Sequence, residues 1–135
     1  MAVKMAVATI QAMLDAYETN IGTSPVLKLR TGSPPASCAT ADSGTVLATY
    51  NMVADFMANA AAGGTKAWNA VTAVNSTATG TIGHYRLYKS DGTTCVDQGT
   101  VGTSGADMII DNATISSVGQ PINLNSWVKD MSAYV

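Results

Sequence analysis

The sequence predicts a mostly β protein, an antiparallel jelly roll or β-sandwich of about eight strands preceded by one N-terminal helix. Three observations carry that reading. Apolar residues recur with a helical period up to Ile21 and with a period near two after Gly22. Turn residues then interrupt the chain at intervals of roughly 8–12 residues, the spacing of short strands in sandwiches and barrels. Finally, 47% of the 135 residues are hydrophobic but only 12% are charged, about half the usual share, and Ala, Thr, Ser and Gly fill the difference. That composition excludes charge-driven disorder and a charged coiled coil. The length suits one domain, divided into a helix over 1–22 and a β domain over 23–135.

Each element has its own warrant. Val3, Val7, Ile10, Leu14, Tyr17 and Ile21 are spaced by alternating steps of 4 and 3, which keeps them on one helical face. Gln11, Asp15 and Glu18 fall opposite. Gly22 stands where a helix C-terminal glycine belongs, and Pro25 follows. The apolar face must pack either on its own domain or on a second copy. Val7, Ile10, Leu14 and Tyr17 are therefore the candidate self-association face. Val26 to Thr31 alternates, with Leu27 and Leu29 facing one way and Lys28 and Arg30 the other. Gly32 to Gly44 reads as a Pro/Ser/Ala/Thr loop, and Thr45 to Asn51 as the next strand. Val53 to Ala62 reads as a helical turn or an irregular crossing before Gly63-Gly64. Lys66 to Val74 and Thr81 to Lys89 read as strands around a polar turn. In the second, Tyr85 and Leu87 oppose His84, Arg86 and Tyr88. Ser90-Asp91-Gly92 is a hairpin signal, because Asp-Gly tolerates positive φ. Thr93 to Gln98, Ala106 to Ile110, Ala113 to Ser116 and Pro121 to Val128 complete the set.

The chemistry-bearing residues are few. Net charge is −2, and seven lysines and arginines scattered from Lys4 to Lys129 provide no cluster for a phosphate backbone. No run approaches the roughly 20 apolar residues of a membrane span. Two cysteines, Cys38 and Cys95, without a CxxC or a Cys/His cluster, exclude a zinc centre. They are expected as free thiols that folding does not require, because a core of this size needs no staple. The one histidine, His84, with Asp91 or Asp97 and Ser104, imitates a hydrolase chain order, but the chain is too short for a two-barrel protease. Gly102-Thr103-Ser104-Gly105 is better read as a tight turn. The acids after the helix sit mostly at turns, where Asp is favoured for local hydrogen bonding. No catalytic residue, metal site or cofactor is expected. The strand faces carrying Lys28 and Arg30, and His84, Arg86 and Tyr88, would form a modest basic and aromatic patch if the strands are neighbours.

Three stretches carry a resemblance: LKLRTGSPPASCATADSGTVLATYNM, GTIGHYRLYKSDGTT and QGTVGTSGADMIIDNATISSVGQPINLNSW. This order of strands, Pro/Ala loop, Tyr-Arg strand, Asp-Gly-Thr hairpin and Gly-Thr-Ser-Gly-Ala-Asp turn resembles small virion structural proteins of tailed bacteriophages. It is most similar to the jelly-roll capsid cement proteins of the Bordetella phage type, over roughly residues 26 to 128. The resemblance implies a protein on the outside of an HK97-like capsid shell. Its partner would be the major capsid protein, and it would staple neighbouring subunits after synthesis in the bacterial host cytoplasm. It supplies no catalytic residues, and with the charge and apolar patterning above neither enzyme activity nor a nucleic-acid or membrane partner is expected. Symmetry makes a homodimer on the shell the default assembly. Lys28, Arg30, His84, Arg86 and Tyr88 are then the candidate capsid contact. The alternative is a carbohydrate-binding jelly-roll module, or the receptor-binding head of a virion fibre.

Overall fold

The computed structural model describes residues 3–135. One helix, α1 (Val7–Ile21), precedes ten short strands: β1 (Val26–Thr31), β2 (Val46–Asn51), β3 (Thr65–Ala67), β4 (Val74–Asn75), β5 (Gly80–Tyr88), β6 (Cys95–Gly102), β7 (Met108–Ile110), β8 (Thr114–Ile115), β9 (Pro121–Ile122) and β10 (Leu124–Asp130). Eight of them form one curled sheet in the order β2-β1-β5-β6-β7-β10-β3, with β8 on the start of β5, and β4 pairs β9 separately. The result is a mostly β protein with one N-terminal helix, consistent with a β-sandwich or jelly roll. One detail departs from an all-antiparallel sheet: β6 and β7 run parallel. The bends over residues 103–107 carry the backbone back to the same end before β7 starts.

The helix begins later than its apolar pattern suggests. Residues 3–6 are not helical, and Val3 is solvent-exposed. Instead the Met5 amide donates to the Tyr134 carbonyl, so the segment before the helix lies beside the last turn of the described residues. Gly22, at φ 86°, ends the helix, and its amide closes onto the Glu18 carbonyl. The expected strand over Lys66 to Val74 is also broken. β3 stops at Ala67, Trp68 makes a lone bridge to Met57, and only Val74–Asn75 resumes pairing.

The core lies on one face of β1, β2 and β5 and is closed by Phe56, Met57, Met108, Ile110, Ile122 and Trp127. Trp68 and Trp127 stack face to face at 3.7 Å, with Phe56 and Tyr85 against the pair. Strand β5 is the centre of this arrangement. Leu87 and Tyr85 enter the core, yet His84, Arg86 and Tyr88 on the opposite face are buried as well. An antiparallel strand buried on both faces requires a second cover. Here the cover is the loop over residues 32–45.

Bulges decide which side chains meet that loop. Directly opposed residues of a pair share a face, and one extra residue reverses the parity beyond it. On β5 the register passes from Thr31↔Ile82 to Arg30↔His84, which leaves Gly83 unpaired. A side chain on Gly83 would collide with the Gly32 carbonyl, so this crossing needs glycine. On β6 the register passes from Leu87↔Asp97 to Tyr88↔Cys95, which leaves Val96 as the extra residue. Cys95 therefore shares the loop face with Tyr88, while Asp97 points with Leu87 to the other side.

Candidate functional site

The loop cover is built from the sheet upward. Lys28 opposes Arg86, and Arg30 opposes His84, so the two strands do bring the basic residues together as neighbours. They do not form an open patch. Arg86 is 1% exposed, Tyr88 1%, His84 0% and Arg30 7%. The expectation that these four side chains meet a capsid is corrected by their burial. Of the five candidates only Lys28 is half-exposed, and it donates to the Gly92 carbonyl while lying over the Tyr88 ring.

What covers them is the loop they hold. Arg86 donates to the carbonyls of Ser37, Cys38 and Thr40 and to the Asp42 carboxylate at 2.5 Å. Arg30 donates to the carbonyls of Ser43 and Gly44 and to the other Asp42 oxygen at 2.7 Å. The Tyr88 hydroxyl donates to Asp42 at 2.8 Å. Gln98, opposite Arg86 on β6, donates to the Pro35 carbonyl. His84 Nδ1 lies 2.8 Å from the Gly32 carbonyl; a carbonyl only accepts, so this nitrogen carries the proton. Removal from water alone would raise the Asp42 pKa. The Tyr88 hydrogen bond and the two guanidiniums outweigh it and hold the carboxyl below its ordinary value of 3.8.

The cysteines join the same structure. Cys38 and Cys95 form a disulfide, with Cα atoms 5.3 Å apart. This corrects the expectation of two free thiols. Periodicity alone places Cys95 on the same face as Asp97, two residues on, and the bulge at Val96 reverses that. The disulfide lines an open hollow of about 260 Å³ together with Lys28, Asp42, Arg86 and Thr93. Pinned in this way, the loop presents small residues outward: Ser33, Ala36, Ser37, Ala39, Thr40, Ala41 and Ser43 are exposed.

The helix face is spent within the chain. Ile10 and Leu14 are buried, and Tyr17 is half-buried, so three of the four candidate self-association residues are covered by their own domain. Val7 stays exposed. Polar anchors also fix α1, and the Gln11 side-chain amide donates to the Ala60 carbonyl at 3.2 Å. Lys66, 3% exposed, lies 2.6 Å from Asp15 and 2.9 Å from Glu18. The Tyr17 hydroxyl donates to Asp97 at 2.6 Å, and Lys129 reaches the same oxygen at 2.6 Å. Burial, reinforced by Asp97, pushes the Tyr17 phenol well above its ordinary range.

Among the described residues no other place gathers reactive groups in this manner. Asp91, Asp111 and Asp130 accept hydrogen bonds from amides or hydroxyls within their own turns and neighbouring loops, and Asp107 accepts from the Thr100 amide and hydroxyl on β6. Ser104 is exposed in its turn, whereas the His84 ring is sealed beneath the loop. A hollow of about 320 Å³ lies between Met52, Phe56 and the 69–74 segment and has no carboxylate, amine, imidazole or thiol in its wall. Among the described residues no three His, Cys, Asp or Glu side chains converge as a metal site, and no helix is long and apolar enough to cross a membrane.

Asp42 and Gln98 were missed by reasoning from sequence. One signal was available for Asp42: it is the only acid between Glu18 and β3 other than Asp55, and it lies in the loop that follows Arg30. Gln98 and the pairing of Cys38 with Cys95 had none, because both depend on the bulge. A scan against protein-family models, a search of curated proteins and a search of solved structures each find no match to this chain.

Proposed function

We propose that this chain is a bacteriophage capsid cement protein that binds the outside of an assembled, HK97-like shell and staples neighbouring capsid subunits, with the 32–45 loop as its contact surface. One observation carries the reading. The cations of the central strands are turned inward to hold an exposed loop of small, mostly uncharged residues. Chemistry is invested in fixing a surface, not in an open cleft. A pre-ordered loop loses little entropy on docking. Many copies on a repeating shell, each bridging two or more subunits, add up weak contacts by avidity. Four of the seven cations are paired with carboxylates inside the fold, which leaves little positive charge for nucleic acid. The resemblance over residues 26–128 points to the same role.

A carbohydrate-binding module is less well supported. Sugar rings stack on open aromatic faces, and the two tryptophans are packed on one another and on Phe56 and Tyr85. The test is co-sedimentation with assembled shells and, separately, with free capsid subunits. Binding to shells alone, little changed by moderate salt, is expected. Equal affinity for both, or release by moderate salt, would overturn the bridging account.

A further inference from the structure

We infer that Cys38 and Cys95 form a thiol–disulfide exchange site for anionic low-molecular-weight thiols and disulfides, and that the arginine cradle makes this site a latch on the 32–45 loop. The inference is independent of what the loop binds. Three observations support it. First, the two sulfurs are not sealed in the core: both residues are half-buried and line the open hollow of about 260 Å³. Second, the wall of that hollow holds Lys28 and Arg86 against one carboxylate, Asp42, which Arg30 also engages. Excess positive charge favours a thiolate and an anionic reagent. Third, the loop has a seat that does not depend on the bond. Arg86 takes the carbonyls of Ser37, Cys38 and Thr40, and Gln98 takes that of Pro35. A chain with reduced cysteines is therefore left with Cys38 beside Cys95, so closure is intramolecular at high effective concentration.

The chemistry balances with a small disulfide such as oxidised glutathione as oxidant. One cysteine thiolate attacks a glutathione sulfur and expels a glutathione thiolate, giving a mixed disulfide. The second cysteine thiolate attacks the protein sulfur of that bond and expels the other glutathione thiolate. Two protein thiols are oxidised, one glutathione disulfide is reduced, and the two cysteine protons end on the two released thiols. Opening is the reverse. Ordering of the loop and closure of the bond are coupled, so each strengthens the other by the same factor.

The experiment uses the full chain without denaturant in glutathione buffers of stepped reduced-to-oxidised ratio. Acid quench, alkylation and intact mass then count the free thiols. Wild type is expected to exchange while folded, with little mixed disulfide accumulating. Arg86→Gln should lower the closure constant roughly tenfold, and Gln98→Ala roughly fivefold. Gln98→Ala removes one neutral contact and serves as the comparison should Arg86→Gln fail to fold. Exchange that begins only in denaturant would overturn the open site. Closure constants in the folded variants equal to wild type would overturn the cradle. Faster native exchange with cystamine, a cationic disulfide, than with glutathione, each relative to an unstructured cysteine peptide, would overturn the anionic preference.

Discussion

Lys66 is a buried cation whose carboxylate partners are more exposed than it is, and this decides what substitution does. The carboxylates of Asp15 and Glu18 are 62% and 27% exposed, whereas Lys66 is 3% exposed. Replacing the lysine by a similar apolar chain strands nothing in the interior, so Lys66→Met should change stability by less than about 1 kcal/mol. Removing both carboxylates leaves an ammonium buried alone. The double variant Asp15→Asn, Glu18→Gln should lose roughly 3 kcal/mol in chemical denaturation. Equal effects of the two changes would show that the burial asymmetry does not govern the pair. Acid provides a second residue-scale test. The folded Asp42 carboxyl titrates below its ordinary 3.8, so its contribution is fully present above that value and is lost as pH falls through the lower folded value. Proteolysis within the 32–45 loop should therefore rise on acidification below about pH 3.8. A Tyr88→Phe variant, lacking one bond to the carboxylate, should release the loop at higher pH than wild type.

At the scale of elements, the helix is held to the sheet by polar anchors as well as by Ile10 and Leu14. The half-buried Tyr17 hydroxyl donates to a carboxylate, a bond worth about 1.5–3 kcal/mol when one partner is charged. Tyr17→Phe should lose about that much stability and selectively raise amide exchange in α1; exchange rising evenly over the whole chain would contradict a helix-specific anchor. The elements also show what the residues disclosed. β1, the Asp91-Gly92 hairpin and the helix end at Gly22 were legible, because local period and turn chemistry decide them. The face assignment of Tyr85 and Leu87 against His84, Arg86 and Tyr88 was legible for the same reason. Burial of the second face was not, since an alternating pattern does not say what a distant loop will cover. The bulges at Gly83 and Val96 were illegible too. Each depends on a crossing strand or loop: the Gly32 carbonyl in one case, the β5 register in the other. The pairing of the cysteines was hidden with them.

At the scale of the molecule, the disulfide joins the loop to the sheet across 57 residues of sequence. Loop closure of that length removes about 4 kcal/mol of unfolded-state entropy. The oxidised protein should melt well above the reduced one. Cys38→Ser with Cys95→Ser should reproduce the reduced melting temperature in either buffer. Identical melting of oxidised and reduced wild type would show that the bond adds nothing. The reduced chain should still fold, because the core of Leu27, Leu29, Tyr85, Leu87 and Trp127 does not include the bond.

The central claim is that buried cations of the sheet hold the 32–45 loop as one fixed surface. Native-state hydrogen exchange resolved to single amides tests it most directly. The Thr40 amide donates to the Ser37 carbonyl, Ala39 to the Ser37 hydroxyl and Thr45 to the Thr31 hydroxyl, although all three residues are solvent-exposed. These amides should be protected by a factor of roughly 100 or more in wild type, an opening free energy of about 2.7 kcal/mol, and the protection should collapse in Arg86→Gln while the amides of β1 and β5 stay slow. Exchange of the loop amides in wild type at the rate of an unstructured chain would contradict the claim.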